Sequence, residues 1–158
     1  MSDLTRTQIV MLIATNMNEH KGLLLRGVNL NGVDLRKLYL AEALLEIADL
    51  SESNLTGSDL SKANLVQADL SYADLSEANL RGADLREAKL IGADLRAVDF
   101  TDANLQNVDL RGANLRGADL TRANLWHSDM ADTTLVYANL ETAKGIPDDI
   151  KEWMEGNQ

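Results

Sequence analysis

Residues 63–87 read Ala63-Asn64-Leu65-Val66-Gln67, Ala68-Asp69-Leu70-Ser71-Tyr72, Ala73-Asp74-Leu75-Ser76-Glu77, Ala78-Asn79-Leu80-Arg81-Gly82, Ala83-Asp84-Leu85-Arg86-Glu87. Each unit of five carries a small residue, an Asp or Asn, a Leu and two variable residues. The frame extends far beyond this stretch. Every fifth residue from Leu25 to Leu140 is large and apolar, and 22 of these 24 centres are Leu; Phe100 and Met130 are the exceptions. Two residues before the centre, 14 of 24 positions are Ala, and Ser53, Ser58, Val98, Val108, Ser128 and Thr133 are among the others. One residue before the centre, 19 of 24 are Asp or Asn. The phase holds from Leu23 to Ala143.

A period of five excludes both common elements, since a helix repeats every 3.6 residues and a strand every 2. On a helix, steps of five turn by about 500°, which would spiral the leucines over every face. Locally, small-polar-Leu alternates in, out, in. The next two residues must then turn the chain. Seven of the ten glycines fall two residues after a centre: Gly27, Gly32, Gly57, Gly82, Gly92, Gly112 and Gly117. That position is a corner where a positive φ is useful.

This pattern resembles the pentapeptide-repeat protein family, whose motif is A(D/N)LXX. It is similar to the bacterial, and specifically cyanobacterial, members with an N-terminal helical cap. The resemblance covers residues 23–143. It implies a β-class fold, a right-handed quadrilateral parallel β-helix with four pentapeptides per coil. The 24 pentapeptides then make about six coils. With strands about 4.8 Å apart, the shaft is roughly 29 Å long. Leu25, Leu45, Leu65, Leu85, Leu105 and Leu125 form one internal ladder on this phase.

An open solenoid needs caps. Thr5-Arg6-Thr7-Gln8 is a capping box ahead of Ile9, Val10, Met11, Leu12, Ile13 and Met17, which predicts a helix over about 6–19 with its apolar residues on the top coil. Gly145-Ile146-Pro147 breaks the array. Asp148 to Met154 suits a short helix with acidic residues in its first turn, whose Ile150, Trp153 and Met154 close the bottom. Residues 155–158 are expected to fray. The division is 1–22 for the N-terminal cap, 23–143 for the β-helix and 144–158 for the C-terminal cap and tail, all one domain.

Composition narrows the function. The 158 residues contain no Cys and two His, so thiolate chemistry and Cys- or His-rich metal sites are excluded. Net charge is −10, from 25 acidic against 15 basic residues, which disfavours direct binding of nucleic acid or anionic membrane. The longest apolar run, Ile9 to Ala14, is too short to span a bilayer. No basic segment leads into it, so no signal peptide is read and a cytoplasmic location is expected. No Ser–His–acid set stands out, and an interior of Leu and Ala offers no pocket for convergent catalytic groups. We expect no enzyme, no cofactor and no metal.

The walls are the remaining candidates. On this phase the wall of Leu30 to Met130 is the most acidic, with Asp49, Glu52, Asp69, Asp109, Asp129 and Asp132 against Lys89 and Arg111. Lys89 falls between Asp69 and Asp109 and relieves like-charge repulsion in that column. The plain reading of the acidic positions is local backbone bonding and solubility. The sharper reading is a docking wall for a basic partner. Leu24 and Leu44 stand where Asp or Asn belongs, on one wall with Ile47 and Val66. The N-terminal helix is expected to cover part of them; otherwise they form an apolar partner patch. Trp126, Val136 and Tyr137 are expected to lie near the C-terminal segment.

The function implied is a non-enzymatic interaction or scaffold protein whose protein partner the sequence does not identify, monomeric or weakly dimeric. The alternative comes from the resemblance. The best understood members of the family protect DNA gyrase by resembling B-form DNA, so this chain would be an acidic DNA mimic acting on gyrase, another topoisomerase or another DNA-binding protein. It departs from those members in its uninterrupted array and in a C-terminus that reads as a cap.

Overall fold

The structure, a computed structural model, describes residues 4–16 and 22–156. Its governing fact is a constant pairing register. The residue before each centre pairs in parallel with the residue twenty positions later: Leu24 with Leu44, Asn29 with Asp49, Asp34 with Asn54, Tyr39 with Asp59, and so on to Asn124 with Lys144. Twenty residues are four pentapeptides, so the array stacks into four columns of outward walls. We call them the first wall (centres Leu25 to Leu125), the second (Leu30 to Met130), the third (Leu35 to Leu135) and the fourth (Leu40 to Leu140).

The backbone explains why five residues suffice. In residues 83–87, the Ala83 N–H donates to Leu80 O at 3.0 Å and closes a turn. Asp84 N–H donates to Ala63 O of the preceding coil at 2.9 Å, and Leu85 N–H donates to Asn104 O of the following coil at 2.8 Å. Glu87 N–H reaches Gln106 O at 3.1 Å. The fifth donor, Arg86 N–H, has no backbone partner and donates to the Asp84 carboxylate Oδ1 at 3.2 Å. Every N–H of the unit is thereby satisfied, as buried or edge-on peptide groups require.

All 24 centres are buried, most of them fully, and so is every Ala of the inward small position except Ala138. Ser53, at a small inward position, compensates its buried hydroxyl by donating to Leu50 O at 2.6 Å. Large and small side chains alternate around the interior, which fills it without aromatic bulk.

At the corners the structure goes beyond the glycine signal. All 24 corner residues have φ between 54° and 68°, and seventeen of them are not glycine. The left-handed conformation costs an L-residue roughly 1 kcal/mol. Ile47 at φ 60° and Thr142 at φ 59° are β-branched, the least suited type. The inter-coil bonds on either side hold each corner in place.

Two helices flank the array, α1 (Arg6–Asn16) and α2 (Asp148–Gly156). The capping box forms as expected: Thr5 N–H donates to Gln8 Oε1 at 2.8 Å and Gln8 N–H to Thr5 Oγ1 at 3.4 Å. Helix α1 ends at Asn16 rather than near residue 19, and residues 17–21, with Met17, lie outside the described residues. Among the described side chains of α1 only Ile9 is buried in the core cluster, with Leu4 and Ile13 partly buried against that cluster; Val10, Met11 and Leu12 are exposed. A run of five consecutive apolar residues necessarily points all round a helix. At the other end Ile146, Ile150 and Met154 pack on the core, and Trp153 is 48% exposed. Glu155 and Gly156 continue α2 instead of fraying.

Substitutions at two positions test this architecture. Leu75→Asp places an unpaired carboxylate in the filled interior and should cost several kcal/mol, while Leu75→Met should cost under about 1.5 kcal/mol. Equal melting temperatures for the two variants would show that the centres do not point inward. At the corners, Gly112→Ala meets nothing within 4 Å. Its cost, about 1 kcal/mol in a denaturant titration, therefore isolates the price of the left-handed φ.

Candidate functional site

The Asp and Asn residues before the centres have a structural task first. All 19 accept, through Oδ1, the backbone N–H two residues on, at 2.9–3.2 Å; Asn29 with Asn31, Asp69 with Ser71 and Asp129 with Ala131 are examples. The five positions without Asp or Asn are Leu24, Tyr39, Leu44, Lys89 and Thr134, and each forgoes this bond. Sequence reasoning anticipated local backbone bonding but missed the specific donor. The signal was available in the fixed step from the Asx residue to the first corner residue.

Several carboxylates are then neutralised in place. Where Asp-Leu-Arg occurs, the guanidinium folds back on the Asp two residues earlier: Arg36 on Asp34 at 2.8 Å, Arg86 on Asp84 at 2.7 Å, Arg96 on Asp94 at 2.6 Å and Arg111 on Asp109 at 2.7 Å. The Arg36 side chain and N–H hold the Asp34 carboxyl well below the usual carboxylate range, helped by Arg6. Arg111 lowers the Asp109 carboxyl, against the opposing effect of partial burial. At Asp84 partial burial pushes upward, but the Arg86 hydrogen bonds outweigh it and the net direction is down.

These pairs reshape the second wall. Its column runs Asn29, Asp49, Asp69, Lys89, Asp109, Asp129. Lys89 Nζ sits 3.5 Å from Asp69, and Arg111 lies 2.7 Å from Asp109 and 3.7 Å from Asp129. Asp49, Glu52 and Asp132 make no ion pair among the described residues; Asp49 accepts from Ser51 instead. Between the ends, the Tyr72 ring lies over the Gly92 corner so closely that a Cβ there would stand 2.7 Å from it. The six acidic residues thus share one wall. Their net charge gathers at its two ends, with Asp49 and Glu52 at one and Asp129 and Asp132 at the other, across a neutral middle.

The first wall brings Leu24, Leu44, Ile47 and Val66 together. Leu24 pairs with Leu44, and Leu44 with Asn64. Leu24 is 75% exposed, Ile47 53% and Leu44 37%; Val66 is half-buried. Helix α1 was expected to cover part of this patch and leaves it open. Its first residue is fastened two walls away, where Arg6 donates to Asp34 O at 2.8 Å and to Arg36 O at 3.0 Å. Beside the patch, Glu46 accepts from Asn64 Nδ2 at 2.9 Å through one oxygen, and its other oxygen is buried without a partner.

At the C-terminal end the Gly145 backbone packs on Trp126, whose ring lies 6.0 Å from that of His127. Tyr137 lies instead under the Arg116 guanidinium, 5.6 Å from it. His20 lies outside the described residues. Among the described residues, no three His, Cys, Asp or Glu gather as a metal site, and no helix is long and apolar enough to cross a membrane.

The family pattern described as pentapeptide repeats matches residues 48–86, 78–117 and 113–144, in 8 copies. Among solved structures, the pentapeptide repeat protein Rfr23 from the cyanobacterium Cyanothece 51142 is similar at 28% identity, with 86% of this chain and 98% of that one covered and a TM-score of 0.62. A pentapeptide repeat protein from the Arabidopsis thaliana thylakoid lumen shares 28% identity over 82% of this chain and 76% of its own, with a TM-score of 0.43. A form of QnrB1, a plasmid-mediated fluoroquinolone resistance protein, shares 16% over 86% and 83%, with a TM-score of 0.42. No curated protein matches the chain.

The Asp–Arg pairs predict an acid-side loss of stability. Asp34, Asp84 and Asp109 are held lower in the folded state than in the unfolded chain. Their contribution is therefore complete above the unfolded Asp value of about 4 and is lost as pH falls from there through the folded values. Melting temperature should be nearly flat near neutrality and decline below about pH 4. Asp109→Asn keeps the Oδ1 acceptor for Arg111 N–H and removes the charge. It should lessen the decline and cost under about 1 kcal/mol at neutral pH. An unchanged acid slope would remove that pair as a cause.

Proposed function

Because the chain belongs to the pentapeptide-repeat family, we propose that it is a non-enzymatic scaffold whose right-handed, four-sided shaft of about six coils holds flat docking walls in front of protein partners. One observation carries this reading. The interior is filled by the 24 centres and the small residues beside them, so only outward faces remain for function. Catalysis asks for a concave site with convergent polar groups, and an array of flat walls lacks that shape.

The second wall is the docking face. Its carboxylates outside the neutral middle stand in two groups four coils apart, Asp49 with Glu52 and Asp129 with Asp132, about 19 Å at 4.8 Å per coil. A partner with basic residues at a matching separation would meet both groups and rest on the neutral Tyr72 and Gly92 surface between them. Such docking is steered by charge and weakens with salt. A DNA mimic asks for a continuous line of unneutralised charge in imitation of phosphates. Lys89 and Arg111 interrupt that line, which favours the protein-docking reading.

The test uses a partner captured from the source cells and identified by mass spectrometry, with affinity measured against salt. The variant combining Asp49→Asn, Glu52→Gln, Asp129→Asn and Asp132→Asn keeps the backbone acceptors at 49 and 129. It should fold as before and bind at least about tenfold more weakly, a difference of roughly 1.4 kcal/mol. Unchanged affinity and an unchanged salt slope would remove the second wall from the role. A gyrase supercoiling assay separates the alternative: inhibition by the wild type that the variant loses would favour the mimic over the scaffold.

A further inference from the structure

The first wall departs from the pattern of the array at Leu24, Leu44 and Ile47, and does so with exposed aliphatic side chains. Leu24 and Leu44 replace the Asp or Asn that would satisfy the N–H of Arg26 and Glu46, and both are exposed. Ile47 holds a β-branched side chain at φ 60° and is also exposed. Lost caps, strain and wet apolar surface all cost stability. Local departures that cost stability and leave apolar surface exposed point to a surface with another use. At the other end of the same wall, Trp126 occupies an outward position and is 54% exposed. Leu24, Leu44, Ile47 and Trp126 are half of the large exposed apolar side chains in the array; Tyr39, Tyr72, Val136 and Tyr137 are spread over the other three walls.

Charge decides what covers this wall. A chain of net charge −10 repels its own copies most through the acidic second wall. The first wall carries few charges and a middle of amides: Asn64, Gln67, Asn104, Gln106 and Asn107. The two apolar spots are four coils apart, about 19 Å. If two copies meet face to face with their axes antiparallel, a two-fold axis at the row of Asp84, Arg86 and Glu87 sets Trp126 of each against Glu46 of the other, flanked by that copy's Leu44 and Ile47. Asn64 then faces Asn104 and Gln67 faces Asn107, with Gln106 beside them; in the row on the axis each residue faces its own counterpart, and each Arg86 also stands beside the other copy's Glu87. The wall is self-complementary, as an isologous interface requires, with its aromatic residue placed as in protein interfaces generally. We infer that the first wall is the interface of an antiparallel homodimer. This goes beyond the proposed docking role, since it uses the other wall and leaves the second wall free.

Sedimentation equilibrium tests the inference on the whole chain. The wild type should sediment at twice the chain mass. Ile47→Lys alone and Trp126→Glu alone should each return it to the single mass, and the double variant should recover the dimer, because each Lys then meets the other copy's Glu. Both changes use residue types that fill equivalent positions elsewhere, Lys at Lys37 and Lys62 and Glu at Glu46, so the fold should tolerate them. A second measurement avoids disturbing the apolar spots. The chain has no cysteine, so Glu87→Cys, beside the two-fold axis, should give a disulfide-linked dimer on mild oxidation, and Asp132→Cys on the second wall should not. A wild type of single mass at every concentration overturns the dimer. A dimer that survives either single substitution, that the double variant fails to restore, or that links through Asp132→Cys as readily as through Glu87→Cys overturns this pairing.

Discussion

Each pentapeptide must satisfy five backbone N–H groups while turning a corner, and the rest of the structure follows from how it does so. Three donors go to neighbouring coils, one closes a turn, and one has no backbone acceptor within reach. Before 19 of the 24 centres an Asp or Asn supplies that acceptor. Its side chain must point outward to do this, which sends the residues on either side of it inward. The choice of Leu and Ala for those two places then fixes the interior. A polar residue on the outside thus specifies the core as firmly as the apolar ones do.

The same constraint explains where charge resides. Only an acceptor is needed, so Asn serves as well as Asp, and the choice between them is free for other purposes. Asp followed two residues later by Arg is self-neutralising, as at Asp94 and Arg96. Asp followed by Ser or Thr keeps its net charge, as at Asp119 with Thr121. The surface potential of each wall is therefore written in two positions of every repeat, independently of the fold. That is why the second wall could be acidic in composition and neutral at its middle.

The array was legible from its period alone, because a strict spacing of five is compatible with so few backbone paths. The twenty-residue register came from the family resemblance, since the number of sides is a property of the corner angle that no residue count reveals. The corners themselves were half legible. Seven glycines marked the position, but seventeen other residues adopt the same φ, held there by inter-coil bonds that a local reading cannot see. Helix α1 misled for a different reason. A run of five apolar residues shows that a cap exists but not which face it buries, and the anchoring contact from Arg6 to Asp34 spans 28 positions in the chain. The acidic residues of the second wall were placed together by the phase; which of them stay unpaired depended on side-chain geometry.

The constant register has a consequence for how such a chain can change length. All four walls present the same inward pattern, so the interior cannot tell one from another. Removing or adding five residues would leave every core position filled and the coil-to-coil backbone bonds available. Downstream of the change, however, each outward residue would move round to the next wall. Asp129 and Asp132 would part from Asp49 and Glu52, and Trp126 from Leu44 and Ile47. Only a gain or loss of twenty residues keeps the faces intact. The skeleton therefore counts in fives and the surface in twenties, so selection on a binding face would show in lineages as indels of whole coils, whereas a chain kept only for its rod shape would accept single repeats.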